Sequence, residues 1–366
     1  MEWVDHWTDV IDEVDFTFFP YIYEGKLQEW LRKLGYPVVG SGLGEKMELN
    51  KTWFLEQLVD AGLPVPKTYA ADGLDDLWEY VKDKPGPLYM KNGDKDRGDW
   101  ETKAHMNACS TEIYLNHKRV ELGVKRSKEI EILVQHPIES KCEGGIDGFN
   151  LNGDIALPCA TGYELKDQMI VEMMVDEIPD IYKPTMAALK PIYKKLGYAG
   201  PYANENRIDK KGKVHPIDET CRCPSPPTAT VMRLMGKWYA IALQWLALQK
   251  LPKLGFEFKY GIEIILHSSV YDDQEIHVSF PDEIEEWVAL NNSRKEGGHW
   301  ICTPNDTGGL FGSVCAVSNK SWEDAAKICM ERAEMIEADG LKIDKTLVER
   351  AGEVVKNGEQ FGIYFK

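Results

Sequence analysis

The sequence is short of positive charge: 43 lysines and arginines stand against 60 acids, a formal net charge of -17 over 366 residues. Nucleic-acid polymers and anionic membrane surfaces reward basic patches, so neither is an expected partner. A small anionic ligand is still accommodated, because its site needs only a few local lysines, arginines and a metal ion. Zinc-type CxxC pairs are also missing. The eight cysteines are scattered, with only Cys221 and Cys223 close in sequence, which argues against a structural metal site or a disulfide scaffold and fits buried or idle thiols. The opening MEWVDHWTDV lacks a basic segment and does not read as a signal peptide. The longest apolar run, WYAIALQWLALQ, is interrupted by glutamine and too short to span a bilayer. No internal repeat, Walker P-loop or GxGxxG fingerprint occurs. The expectation is a soluble, cytoplasmic protein of two or three packed units.

What is present is a mixture of helical and strand periodicities. Leu27, Trp30, Leu31 and Leu34 mark one face of a helix, and YPVVG then reads as a short strand. A second helix starts with Asn50 as N-cap and stops at Gly62, with Pro64 beyond it. Leu74, Leu77, Trp78 and Val81 mark a third. PLYMK reads as a strand entering the polar loop NGDKDRGDWET, and EIEILVQ as a half-buried strand. Met186, Leu189, Tyr193 and Leu196 define a helix closing at Gly197, after which YANENRI and KVHPID flank the turn sequence DKKG as a hairpin. One helix is expected over 228 to 250. From about 256 the texture changes to short strands (YGIEIIL, EIHVSF), the glycine-rich TPNDTGGLFGS and a late helix holding Trp322, Ala325, Ala326, Cys329 and Ile336, read as a separate small α+β unit.

The hairpin carries the densest polar pattern. Alternation along its strands lets Glu205, Asp218 and Thr220 share a face, with Arg222 two residues further on. Converging carboxylates repel one another without a cation, and hard oxygen donors suit magnesium, while Arg222 offers a fixed fork for phosphate. A solvated hairpin face accounts for the same acids. Upstream, Lys51 opens a helix and Lys91 ends an apolar strand just before a loop containing Arg97, a plausible cradle for polyphosphate.

The order and spacing of the whole set resemble the ATP-grasp superfamily, and within it phosphoribosylamine-glycine ligase. KLQEWLRKLGYPVVGSGLGEKMELNKTWFLEQLVDAGLPVPKTY is similar to that family's entry into the ATP-binding region, PLYMKNGDKDRGDWET to its lysine-plus-loop lid, and GYAGPYANENRIDKKGKVHPIDETCR to its metal-binding hairpin. GGLFGSVCAVSNKSWEDAAKICMERAEMI resembles its final small domain. The resemblance implies an α/β (α+β) ATP-grasp fold: a truncated pre-ATP-grasp region over 1–45, an ATP-grasp domain over 46–250 with a lid at about 65–135, and a small C-terminal domain over 251–366.

It further implies that Lys51 and Lys91 hold ATP phosphates, that the backbone of Val134, Gln135 and His136 reads adenine, and that Glu143 binds ribose. Glu205, Asp218 and Thr220 fall at the metal positions and Arg222, with Lys91, at the catalytic ones, while Arg97 belongs to the closing loop. Asp218 and Thr220 stand where the family has glutamate and asparagine, which shortens both ligands and leaves room for Glu219 to assist. Only about twenty-five residues precede the resemblance, so part of the usual phosphoribosylamine site is missing from this stretch. The implied cofactors are ATP and Mg2+, with Mn2+ as substitute, and the implied reaction, which belongs to purine biosynthesis in that family, is amide formation through an acylphosphate. The implied partners are ATP, an amino-acid carboxylate such as glycine and an amine, acting on a monomer or homodimer. A different amine, such as a modified nucleotide or amino sugar, and a non-catalytic nucleotide-binding role are the alternatives.

Overall fold

The computed structural model describes residues 4–93, 102–305 and 308–366. A small parallel pair, Thr17–Phe18 (β1) and Val38–Val39 (β2), brackets the helix Gly25–Lys33. In that helix Leu31 is buried whereas Trp30 and Leu34 face outward. Asn50 caps the next helix, Lys51–Asp60, its Oδ1 accepting a 2.7 Å bond from the Trp53 amide. This satisfies one of the donors that a helix start leaves unpaired.

Four strands then form a sheet over the stretch expected as the lid: Thr68–Asp72 (β3), Leu88–Asn92 (β4), Lys103–His105 (β5) and Glu131–Gln135 (β6), in the order β3-β6-β4-β5. The expected half-buried strand at EIEILVQ is instead buried almost throughout, because β6 lies between β3 and β4. Helix Gly73–Val81 and a helical stretch Ala108–Glu129, broken at Gly123 (φ 72°, ψ 173°), accompany this sheet, and Leu74, Leu77, Val81, Leu115, Ile132 and Val134 make its core. The long second helix escaped the sequence reading, since its register is polar on most sides.

The remaining strands are Ser140–Leu151 (β7), Asp154–Ile155 (β8), Cys159–Leu165 (β9), Met169–Val175 (β10), Ala199–Asp209 (β11), Val214–Thr220 (β12), Tyr260–His267 (β13), Ile276–Ser279 (β14), Val288–Leu290 (β15), Ser293–Glu296 (β16), His299–Cys302 (β17), Leu310–Ser318 (β18) and Glu337–Ala338 (β19). A central sheet of nine strands runs β12-β11-β7-β9-β10-β13-β18-β15, with β8 attached to β7. The segment from 251 onward is therefore not separate. β13 pairs with β10 from Met169↔Ile264 to Met173↔Tyr260, and β18 and β15 extend the same sheet. YGIEIILH is buried on both faces, and such a strand needs neighbours on both edges. A second sheet, β16-β17-β14-β19, is built wholly from this C-terminal segment.

One face of the central sheet is apolar along its length. Ile146, Tyr163, Val171, Tyr202 and Ile262 share a core with residues of helices Lys183–Leu196, Trp322–Ala333 and Leu347–Glu359. The late helix ends at Ala333, and Ile336 is buried just beyond it. On the opposite face only one end is covered, where Phe149, Ala160 and Met174 pack against helices Thr228–Met235 and Lys237–Ala247. The single helix expected over 228 to 250 breaks at Gly236, whose φ of 54° and ψ of -127° suit glycine alone. A Cβ there would lie 2.2 Å from the Glu257 carboxyl carbon, the movable end of a long side chain, so conformation more than space demands glycine. The other end of this face is polar.

Candidate active site

The hairpin folds as its sequence directs. Asp209 Oδ1 accepts the Lys211 and Lys213 amides at 2.8 and 3.0 Å, and Gly212 takes a positive φ to close the turn. β11 and β12 then pair so that Glu205 stands directly opposite Asp218, and directly paired residues project to the same side. Across that side lies the lid. Lys51 Nζ forms an ion pair with Asp218 Oδ1, and the Thr52 amide donates to Gly93 O at 3.2 Å, tying the helix start to the end of β4. Lys91, one residue before the end of β4, therefore enters the same space. Burial, and next the charge of Lys51, push its amine down to about 8, against the opposing pull of Asp218.

The resulting cavity, of about 210 Å³, is lined by Lys91, Glu143, Lys166, Glu205, Arg207 and Asp218, with His136 at its edge. Four of these polar groups, Glu143, Lys166, Glu205 and Arg207, with Glu164 beside them, form a cluster that sequence analysis only partly located. Ligand oxygens of Glu143, Glu164 and Glu205 lie within 4.8 Å of one another. Lys166 Nζ stands 3.7, 3.6 and 3.5 Å from those three acids, and Arg207 pairs with Glu143 at 2.8 Å. Glu164, Lys166 and Arg207 were missed. Charged residues on strands whose other face is apolar are the signal that marks them.

The other expected residues are placed differently. Val134 is buried in the lid core, Gln135 is also buried, and the His136 amide donates to Lys67 O at 2.9 Å. Thr220, one step along the strand from Asp218, faces a neighbouring hollow and not the cavity of Lys91. The guanidinium of Arg222 is committed to Glu48, with Nε 3.2 Å from both oxygens and Nη2 at 2.8 Å from Oε1. Glu219 points to the opposite face, where the Tyr193 and Tyr202 hydroxyls donate to its Oε2, so it is not positioned to assist Asp218. Burial raises its carboxyl to about 8 despite those two donors. Arg97 and Trp100 lie outside the described residues. Of the eight thiols, all but Cys109 are buried, and burial raises those of Cys142, Cys159 and Cys315 to about 12, as inert core thiols require.

No family model matches this sequence, and no curated protein matches it either. Solved structures do. The phosphoribosylamine-glycine ligase of Thermotoga maritima superposes with a TM-score of 0.62 at 14% identity, covering 83% of this chain and 80% of that one. The biotin carboxylase domain of the Hydrogenobacter thermophilus 2-oxoglutarate carboxylase, solved with MgADP, ADP and bicarbonate, gives 0.64 at 14% identity over 98% and 86%. The L-amino acid ligase of Bacillus licheniformis gives 0.55 at 14% identity over 88% and 78%. Likeness to such neighbours across most of both chains shows that this chain adopts their fold, the ATP-grasp fold.

Proposed function

We propose that the protein is an ATP-dependent ligase that joins a carboxylate to an amine. One observation carries the reading: two lysines from separate elements, Lys51 and Lys91, meet the acid pair Glu205 and Asp218 in one cavity between the lid and the central sheet. A magnesium ion fits the acids by an independent test. Glu205 Oε1 and Glu143 Oε1 are buried without a hydrogen-bond donor, and hard carboxylate oxygens with spare lone pairs suit a hard dication. Glu205 and Asp218 would hold it, with Glu143 and Glu164 alongside. When bound, it neutralises charge on the phosphates as the γ-phosphoryl group is transferred.

The chain's own residues supply the rest. Lys91, buried and beside Lys51, binds phosphate oxygens, whose charge favours the protonated amine that burial disfavours. Lys51, held beside Asp218, adds a second ammonium on the same side of the cavity. His136 and the chain around it close the edge of the nucleotide pocket. The lid excludes water, which protects the acylphosphate until an amine displaces phosphate and forms the amide. Arg222 acts as a positioning residue: its fork holds Glu48 and fixes the end of β12 that presents Asp218.

The test is ADP release by the purified protein with Mg-ATP and glycine, with phosphoribosylamine added or withheld. Release that requires both supports the glycinamide-forming reaction. Release with other amino acids or amines moves the substrate and keeps the ligase. Binding of ATP without release for any pair tried would support a non-catalytic nucleotide-binding protein and sink the proposal.

A further inference from the structure

Five strands of the central sheet place their residues in one transverse row. Asp218, Glu205, Gly145, Gly162 and Glu172 are successive cross-strand partners from β12 to β10, so Glu172 projects from the same face as the candidate metal acids. The two residues between are glycines, which leave a trough free of side chains, and neighbouring backbone carbonyls leave no room for a Cβ at either position. A Cβ on Gly145 would lie 1.6 Å from Asn204 O, and one on Gly162 would lie 2.2 Å from Val171 O. In the next row Asp147 stands opposite Ala203 and Ala160, on the same face. A hollow of about 100 Å³ results, lined by Asp147, Glu164, Glu172 and Glu205 together with Thr220 and three prolines. Among the described residues its lining includes no lysine, arginine or histidine.

Glu172 is the second observation. It is 0% exposed, lines this hollow, and neither of its oxygens has a donor; Asp147 Oδ1 has none either. The two carboxyls touch in a way that is a hydrogen bond only while one of them keeps a proton. Burial raises both of them; Asp147 raises Glu172 further, whereas the contact with Glu172 partly lowers Asp147. Glu263 nearby differs, because Thr230 supplies its amide at 3.2 Å and its hydroxyl at 2.9 Å. A buried acid pair resists ionisation unless something cationic completes it.

We propose that Asp147 and Glu172 bind the primary ammonium group of a substrate. The assignment builds on the ligase reading, which makes this ammonium the amino group of a small amino acid whose carboxylate points along the glycine trough toward Glu205 and the phosphates. An ammonium offers three donors and one positive charge, which match the orphaned oxygens and release the shared proton. The volume admits only a small side chain.

Binding of glycinamide, a cation, is compared with that of acetamide, its neutral analogue, by ligand-observed NMR on the full chain without nucleotide. The expected result is at least tenfold tighter binding of glycinamide, with the preference lost in Glu172→Gln and in Asp147→Asn. Equal binding of the two amides by the wild-type chain overturns the proposal, as does a preference that survives both substitutions. The wild-type comparison needs no variant, so it decides the matter even if a substitution prevents folding. Glycinamide preference without any ADP release would remove the ligase and leave the ammonium site; ADP release without the preference would do the reverse.

Discussion

The two halves of the polar face of the central sheet treat their acids in opposite ways. At the mouth, Asp218 meets Lys51, Glu143 meets Arg207, and Lys166 stands among three carboxylates. Deeper in, Asp147 and Glu172 lie in a hollow where no cation lines the wall among the described residues, and burial raises both carboxyls. The mouth pairs its acids with lysines and an arginine, whereas the inner hollow leaves Glu172 unpartnered. Low dielectric makes that difference large: a charge that is cheap at the cavity rim is prohibitive two strands inward.

Breaking the rim's own supports gives the largest effect. Arg222→Ala leaves Glu48, which is 4% exposed, without its bidentate partner, and a stability loss of about 3–5 kcal/mol in urea unfolding is expected. Lys91→Ala should spare stability yet lower ADP formation by roughly 100-fold or more, the size typical of losing a preorganised electrostatic contact. Asp218→Asn should act in the same direction, and near-normal turnover in both variants would remove the rim from the chemistry.

Glu219 sharpens the comparison from the other face. Its carboxyl is raised from an ordinary 4.5 to about 8, so the folded state holds a proton that the unfolded state has released. Stability from this group is full below about 4.5 and falls as pH rises to about 8, by roughly 1.4 kcal/mol per pH unit. Glu219→Gln should flatten that slope in thermal unfolding followed from pH 5 to 8, and an unchanged slope would assign the proton elsewhere. The smallest effect is a fraction of a proton. Lys91 titrates near 8, and bound phosphates favour its charged form, so nucleotide binding at pH 8 to 9 should take up protons. Calorimetry in buffers of different ionisation enthalpy measures the uptake; release of protons would contradict the placement of Lys91 against phosphate.

Much of the local structure was legible because its causes are local. Asn50 reads as a cap, DKKG as a turn and Gly197 as a helix stop, and each does what its side chain or its freedom in φ allows. The strand acids were legible in proportion to their sequence context. Glu205 and Asp218 stood out on the hairpin, whereas Glu172 sits alone in MIVEMMV, a strand that reads as core until its glycine neighbours on adjacent strands are known. Arg222 was read toward phosphate, but its nearest acid, Glu48, is 174 residues away in sequence. No spacing rule reaches that far.

The sequence by itself determined the elements, the hairpin's common face of Glu205 and Asp218, and the resemblance that pointed to the ATP-grasp fold, since these rest on periodicity, turn chemistry and short-range order. Only the tertiary structure decided which strands adjoin. That decision merged the C-terminal strands into the central sheet, set Lys51 against Asp218, turned Glu219 away toward two tyrosines, and aligned Gly145 and Gly162 between the rim and Glu172. Cross-strand register is fixed by long-range pairing and by which face is buried, and neither is written in any one segment of the chain.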